Sequence, residues 1–504
     1  MPGKGPREGS EAVTLGLDIG TTSTIGVLAA TDGRILATAT RPATLRSPRP
    51  GWAEADPLEW WRNVQALVPE LFAAAGIGAS AIAGIGVAGM LPAVVLLDGA
   101  GRVLRPSIQQ SDGRTGAEVE AMRRELDEAA FTARTGNGIN QQLVGTKLRW
   151  LERHEPEVMA RAATVMGAYD FINLRLTGER TVERNWALEA GFVDLATGEA
   201  AADLLAFAHL DPARLPRVAP GEAVIGAVTA EAAALTGLAA GTPVVAGAAD
   251  HIASAFVAGI VRPGDVLLKF GGAGDIMLAA DAPRPDPRLF LDYHIVPGRF
   301  MPNGCMAASG SLLNWLVREF AGGRDHAALD TLAASVPPGA DGLVLLPYVL
   351  GEKTPIHDPA ARGTLVGLGL HHRIDHLWRA ALEAVVMGFR HHIEVAREIG
   401  HPVERLVASD GGSRSALWMQ IAADALQLPV TTLDGHPGSC LGAAWVAAMG
   451  TGAADDWSAI ARFTRPAATF EPDPANAPAC DHLYGLYRET YDRLKPLYPK
   501  FAAP

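Results

Sequence analysis

The sequence predicts an α/β protein with more than one domain, and three observations carry that reading. The chain has 504 residues, which at roughly 100–200 residues per domain leaves room for two or more full cores. Strand-like and helix-like stretches alternate along it, as in layered α/β proteins and unlike bundles or sandwiches. A strand–glycine turn–strand pattern near the start returns near the middle, which suggests a duplicated fold with one glycine turn per half.

Taken in order, residues 1–11 read as a disordered leader, polar and rich in Gly and Pro. Apolar strands follow at Val13–Ile19 and Thr24–Ala30, then helix-like text from Pro57 to Ala75 and strands at Ala83–Ala88 and Ala93–Leu97. Residues 116–166 read as helical. A small-residue strand, Pro243–Ala248, ends in Ala249-Asp250, and His251–Gly259 reads as a helix. Val261-Arg262-Pro263-Gly264 reads as a linker turn. The opening Leu17-Asp18-Ile19-Gly20-Thr21-Thr22-Ser23 is then echoed by Leu268-Lys269-Phe270-Gly271-Gly272-Ala273-Gly274, with a second strand after each. A chance likeness of two hairpins is the plain alternative. Val407–Ser409 runs into Asp410-Gly411-Gly412-Ser413, then helix-like Ala416–Gln427, a short strand and the small-residue helix Leu441–Met449. The tail from 451 onward is expected to be helical from about Cys480. The domain expectation is 12–258, then 259–450, then that tail.

Composition excludes several function classes. Hydrophobic residues make up 48% and charged residues 19%, an ordinary globular balance. A net charge of −12 argues against nucleic acid or an anionic membrane as partner. Three scattered cysteines, Cys305, Cys440 and Cys480, make neither a disulfide framework nor a zinc site. The start carries no apolar run of the signal-peptide kind, and the apolar runs elsewhere are too short to span a bilayer. The chain is therefore expected to be soluble and cytoplasmic. A second copy of itself is the one macromolecular partner left open.

Residues able to carry chemistry sit at strand ends. In Asp18-Ile19-Gly20-Thr21-Thr22 the glycine lets backbone approach a phosphate, while Thr21, Thr22 and amide groups donate to its oxygens. Asp18 is of the type that holds Mg²⁺. A tight hairpin satisfying its own polar groups is the alternative. Gly271 and Gly272 offer a second phosphate cradle, and Gly411-Gly412-Ser413 brings backbone against an adenine and ribose or is a simple strand-to-helix turn. Asp250 ends an apolar strand, where its carboxylate suits a general base taking a hydroxyl proton. A helix N-cap is its other role. His371, His372, His376, His391 and His392 lack a carboxylate or Cys at metal-ligand spacing and read as surface and packing residues.

Gly363-Thr364-Leu365-Val366-Gly367-Leu368, then His376-Leu377 and Ala380-Ala381-Leu382-Glu383, resembles the second signature of the FGGY carbohydrate kinase family. Gly351-Glu352-Lys353-Thr354-Pro355 and Asp358-Pro359 resemble the loop before it, and Lys147-Leu148-Arg149-Trp150-Leu151 resembles the first signature. Trp52-Ala53-Glu54-Ala55-Asp56-Pro57 and Asp170-Phe171-Ile172-Asn173 fit the same family, most nearly its xylulokinase branch. The likeness runs from Leu15 to about Gly450. It implies two actin-like ATPase (ribonuclease-H-like) domains with a central cleft, Asp250 as catalytic base, and ATP with Mg²⁺ as phosphoryl source. It also implies nucleotide contacts at the Thr21, Gly272 and Gly411 loops, and a pentulose such as xylulose as acceptor. The chain departs from the branch in Met90-Leu91-Pro92, where Gln-Met-His is usual, and in His251, where Asn is common. Gln109 or Gln110 replaces a frequent Trp, and Gly272-Ala273 replaces Thr-Ser. Met90, Leu91, Gln110, Asp112, Asp250 and His251 are the expected sugar contacts. Another ketose or polyol kinase, or a sugar-binding regulator without turnover, is the alternative.

Overall fold

A computed structural model describes residues 12–435 and 438–501; the expected leader at 1–11 lies outside them. The chain divides into two compact units, one of residues 12–259, 292–299 and 438–463, the other of 260–291, 300–435 and 464–501.

The first unit is built on a seven-stranded sheet. Val13–Ile19 (β1), Ser23–Ala30 (β2) and Ile35–Pro42 (β3) form an antiparallel meander. Ile82–Gly89 (β4) lies parallel to β1 on its other side. Val224–Ala227 (β5), Pro243–Val245 (β6) and Ala248–Ala249 (β7) complete the sheet, with β6 and β7 both parallel to β4. The register puts Ile19 beside Gly89, and Gly89 beside Ala249. Three strands therefore end together, and the chain leaves each in the same direction.

The second unit repeats this plan in a seven-stranded sheet of its own. Asp265–Phe270 (β8) and Gly274–Leu278 (β9) form the hairpin, Phe290–Tyr293 (β10) and Phe300–Met306 (β11) extend it, and Arg405–Ser409 (β12) runs parallel to β8. Val430–Leu433 (β13) and Pro466–Phe470 (β14) finish that side. The order β3-β2-β1-β4-β6 in one unit matches β11-β9-β8-β12-β13 in the other. The echoed hairpins are thus corresponding parts of a duplicated actin-like domain, not a chance likeness.

The chain is shared between the units differently from the expected split at 258/259 and 450. Helix Ser439–Gly450 belongs to the first unit, where it packs on β1 and β4. Its exposed-face residues are missing: Ser439 through Ala448 are all buried, as expected of a helix apolar all round. Gly16 and Gly86, partners in the parallel ladder, make the approach possible. A Cβ on Gly16 would lie 1.8 Å from the Cys440 carbonyl oxygen, and one on Gly86 2.1 Å from that of Ala443. On its far side this helix packs against helix Asp250–Val257, again through a glycine: a Cβ on Gly442 would lie 2.7 Å from the Ala253 carbonyl oxygen. The segment 292–299 is tied in by Asn185, which accepts from Tyr293 N–H (2.8 Å) and donates to its carbonyl (3.1 Å).

The tail is likewise part of a core and not an appendage. Helix Ala477–Leu494 turns Tyr484, Tyr487 and Tyr491 inward, a stripe of helical spacing. The Tyr348 hydroxyl donates to that of Tyr487 at 2.8 Å. All three cysteines are free thiols, and no helix among the described residues is long and apolar enough to cross a membrane.

Replacing Gly16 or Gly86 by Ala is expected to destabilise the first unit by about 1–3 kcal/mol or more, because backbone and not a flexible side chain meets the new methyl. Gly99→Ala, at a position with nothing within 4 Å of an added Cβ, is the control. Urea denaturation followed by tryptophan fluorescence reads both.

Candidate active site

The shared register of β1, β4 and β7 brings the candidates of the first unit to one sheet edge, the usual place for ligands in parallel α/β sheets. Asp18 sits next to last on β1, and Gly20 N–H closes the following turn on the Ser23 carbonyl at 2.9 Å. Thr21 is half-buried and Thr22 exposed. The Thr21 hydroxyl reaches Met90 Sδ at 3.6 Å, and Met90 N–H donates to the Ile19 carbonyl at 3.2 Å, so the β1 and β4 loops touch. Burial first and the Asp18 charge second push the Cys440 thiol up to about 12, a sign of how near that carboxylate lies.

Asp250 follows β7 directly as the first residue of its helix. The N-cap position falls to Ala249, which β-pairing holds extended, so Asp250 is not the cap that local sequence favours. Its Oδ1 accepts from His251 N–H at 2.6 Å, and its side chain stays 36% exposed. The His251 ring stands between two carboxylates, Nδ1 lying 3.6 Å from Asp250 Oδ1 and Nε2 3.1 Å from the fully buried Asp292 Oδ2. Glu189, at the end of helix Arg184–Glu189, joins them: Glu189, His251 and Asp292 bring one ligand atom each within 4.8 Å of one another. Burial and the charge of Asp292 push the Glu189 carboxyl up to about 8.

The remaining expected sugar contacts fare differently. Met90 and Leu91 are both buried, at 2% and 7% exposed. Gln110 is half-buried and accepts from Gln142 Nε2 at 3.4 Å. Asp112 is sealed off: its side chain is 0% exposed, and its oxygens accept from Ala53 N–H (2.6 Å) and from Arg114 Nε and Nη2 (2.8 and 2.7 Å). Arg114 also pairs with Glu54 and lies over Trp52 at 3.7 Å. Asp112 is therefore a structural anchor of the Trp52-Ala53-Glu54 segment, and the expectation that it contacts sugar is not met by this geometry.

Two residues that hold the Met90–Pro92 loop escape a reading of the sequence. Lys147 is fully buried and donates from Nζ to the Pro92 carbonyl at 2.7 Å; Trp186 Nε1 donates to the Ala93 carbonyl at 2.8 Å. Burial pulls the Lys147 ammonium down to about 7, against the opposing pull of Asp112 and Glu189.

In the second unit, Gly271, Gly272, Gly411 and Gly412 line a cavity of about 470 Å³ whose apolar wall includes Leu313, Trp378 and Trp418. Gly272 has open space where a Cβ would stand, whereas at Gly412 a Cβ would lie 2.5 Å from the Trp418 ring. The Gly272 carbonyl accepts from Ser309 and Ser311 N–H (2.9 and 3.1 Å), fixing the first turn to the start of helix Gly310–Phe320. Asp410 opens the second turn at φ 70°, a left-handed conformation uncommon outside glycine. Ser413 is not part of the lining; its hydroxyl donates to the Asp410 carbonyl at 2.7 Å and closes its own turn. Arg414 and Ser415 reach the cavity in its place, with Asp330 accepting from Ser415 Oγ (2.6 Å) and Trp378 Nε1 (2.7 Å). The histidines of 371–392 form no candidate metal group among the described residues.

Residues 13–257 match the N-terminal domain of the FGGY family of carbohydrate kinases, and 271–451 match its C-terminal domain. The chain is 29% identical over 486 residues to xylulose kinase of Bacillus subtilis, covering 96% of this chain and 97% of that one. It superposes on xylulose kinase from Rhodospirillum rubrum with a TM-score of 0.93 at 58% identity, over 96% and 99% of the two chains. Gluconate kinase from Lactobacillus acidophilus superposes almost as well, at 0.92 with 26% identity over 98% and 100%.

Lys147 carries a pH signature. Its folded-state proton is held less tightly than in the unfolded chain, so the unfolded state binds more protons between about pH 7 and 10. The destabilisation is full below pH 7 and fades as pH rises towards the ordinary lysine value, a change on the order of a few kcal/mol. Denaturation curves at pH 7, 8 and 9 are expected to show Lys147→Met losing its stability advantage over wild type as pH rises.

Proposed function

This chain belongs to the FGGY family of carbohydrate kinases, and we propose that within it the chain transfers the γ-phosphoryl group of ATP to a hydroxyl of a pentulose, xylulose first. The observation that carries the reading is Asp250, a partly exposed carboxylate at the end of β7, beside the glycine turn of β1 and the β4 loop. An alcohol attacking a phosphoryl group must lose its proton, and a fixed carboxylate within reach takes it. Gly20, Thr21 and Thr22 supply amide and hydroxyl donors to phosphate oxygens on the same edge. On the second unit the cavity walled by Gly271, Gly272, Gly411 and Gly412 takes the nucleotide, with Trp378 and Trp418 giving a base an apolar bed. A nucleotide co-substrate supports a cytoplasmic setting.

Asp18 and the Thr21 and Thr22 hydroxyls are hard oxygen donors on one turn, and so fit Mg²⁺. When bound, Mg²⁺ neutralises charge on the phosphates. Asp18 would hold the ion, and Asp250 would hold the acceptor hydroxyl and take its proton.

A second acceptor class is favoured by one observation. Met90 and Pro92 are apolar and buried where the xylulokinase branch usually has Gln and His, so the loop itself offers few side-chain donors to a sugar. Gluconate, a hexulose or a polyol is the alternative acceptor. ADP release measured against pentuloses, hexuloses, polyols and gluconate separates the two, with turnover on D-xylulose expected to lead. Asp250→Asn is expected to lower kcat by about 10²–10⁴-fold with the fold intact. Near-normal turnover of that variant would exclude Asp250 as base.

A further inference from the structure

His251 stands where its family commonly has Asn, and its ring lies against Asp250. Its backbone N–H and its ring address the same oxygen, Asp250 Oδ1, at 2.6 and 3.6 Å. Its other ring nitrogen meets Asp292 Oδ2 at 3.1 Å, and the Asp292 side chain is 0% exposed. Nε2 is within hydrogen-bond range of Asp292 and Nδ1 within ion-pair range of Asp250, and carboxylates on both sides of an imidazole favour its doubly protonated, cationic form. We infer that His251 is a positioning residue for the reaction: as an imidazolium bridging Asp250 and Asp292, it fixes the Asp250 carboxylate and supplies the positive charge that lets it stay ionised among its acidic neighbours. This rests on Asp250 being the base.

The surroundings bear on the charge balance from every packed element. Asp250 comes from the ring's own helix, Asp292 from β10 and Glu189 from helix Arg184–Glu189. Lys147, on helix Val144–His154, acts on Glu189 from the far side. Helix Ser439–Gly450, packed on the helix of Asp250, presents Cys440, which stays a neutral thiol. His294 faces Phe256 at 6.3 Å between ring centres. Burial pulls the His251 proton off, but Asp250, Asp292 and Glu189 outweigh it and hold the ring well above the ordinary histidine value. Glu189, pushed up by burial and Asp292, keeps its proton at neutral pH, so the imidazolium balances the two aspartates; with a neutral residue in its place, Asp250 is expected to retain a proton to higher pH.

The test follows kcat/KM for the best acceptor against pH in wild type, His251→Asn and Asp250→Asn. His251→Asn is expected to move the acid limb upward by about one unit, a roughly tenfold loss at any pH on that limb, with activity recovering as pH rises and KM for ATP unchanged. An acid limb left in place by His251→Asn overturns the inference. If Asp250→Asn is also near-normal, the assignment of the base has failed as well; if Asp250→Asn is inactive, only the role of His251 has. A second measurement does not depend on activity. In histidine-labelled protein, the His251 ring signal, assigned by its loss in His251→Asn, is expected to titrate well above the ordinary histidine range and to fall towards it in Asp292→Asn. A ring that titrates at its ordinary value in wild type overturns the bridge directly.

Discussion

The first unit depends on a contact in which backbone meets backbone. Gly16 and Gly86 sit side by side in the parallel ladder, and helix Ser439–Gly450 rests on them at a distance that leaves no room for a methyl group. That helix in turn carries helix Asp250–Val257 through Gly442. The position of the helix that begins at Asp250 is thus set by the β4–β7 register together with a stack of glycines and alanines. Close packing of small residues tolerates little displacement, because dispersion falls off steeply with a gap and repulsion rises more steeply without one. A site that must hold an acceptor hydroxyl to a fraction of an ångström benefits from such a base.

Small residues are also why the sequence conceals this arrangement. Strands β1, β2 and β4, the echoed hairpin of β8 and β9, and helix Ala416–Leu426 all announce themselves by apolar runs and glycine turns. Leu441–Met449 announces a close-packing helix as well, but nothing in Ala, Gly and Val says which sheet it packs on. The answer depends on Gly16 and Gly86, hundreds of residues away, being opposite one another. The tyrosines of the last helix pose the same problem: their spacing gives a face, and only the fold supplies Tyr348 to meet it.

The candidate site divides along a similar line. Gly20, Thr21, Asp250 and the paired glycines of the second unit were legible because strand-end turns have a local signature. Lys147 stands in the first signature, but nothing in that stretch says that its ammonium is buried, and only the packed loop at Pro92 makes it a buried donor. Ser413 presents the opposite case. Its hydroxyl sits in a turn rich in phosphate-binding residue types, yet serine hydroxyls bond their own backbone readily, and this one does.

Asp112 and Asp250 show what separates a structural carboxylate from one able to act. Both belong to the first unit. Asp112 meets a guanidinium in a two-pronged contact and a backbone N–H, and no part of its side chain reaches the surface. Such a group is fixed in place by the same contacts that hold the Trp52–Glu54 segment. Asp250 accepts from one backbone N–H at 2.6 Å, has an imidazole nitrogen 3.6 Å away, and stays 36% exposed. A cation that holds without enclosing leaves the carboxylate accessible to an incoming hydroxyl, and an imidazolium beside it offsets the charge that remains after the proton has moved on. The difference in partner, guanidinium for one aspartate and imidazole for the other, fits the anchoring of Asp112 and the role proposed for Asp250.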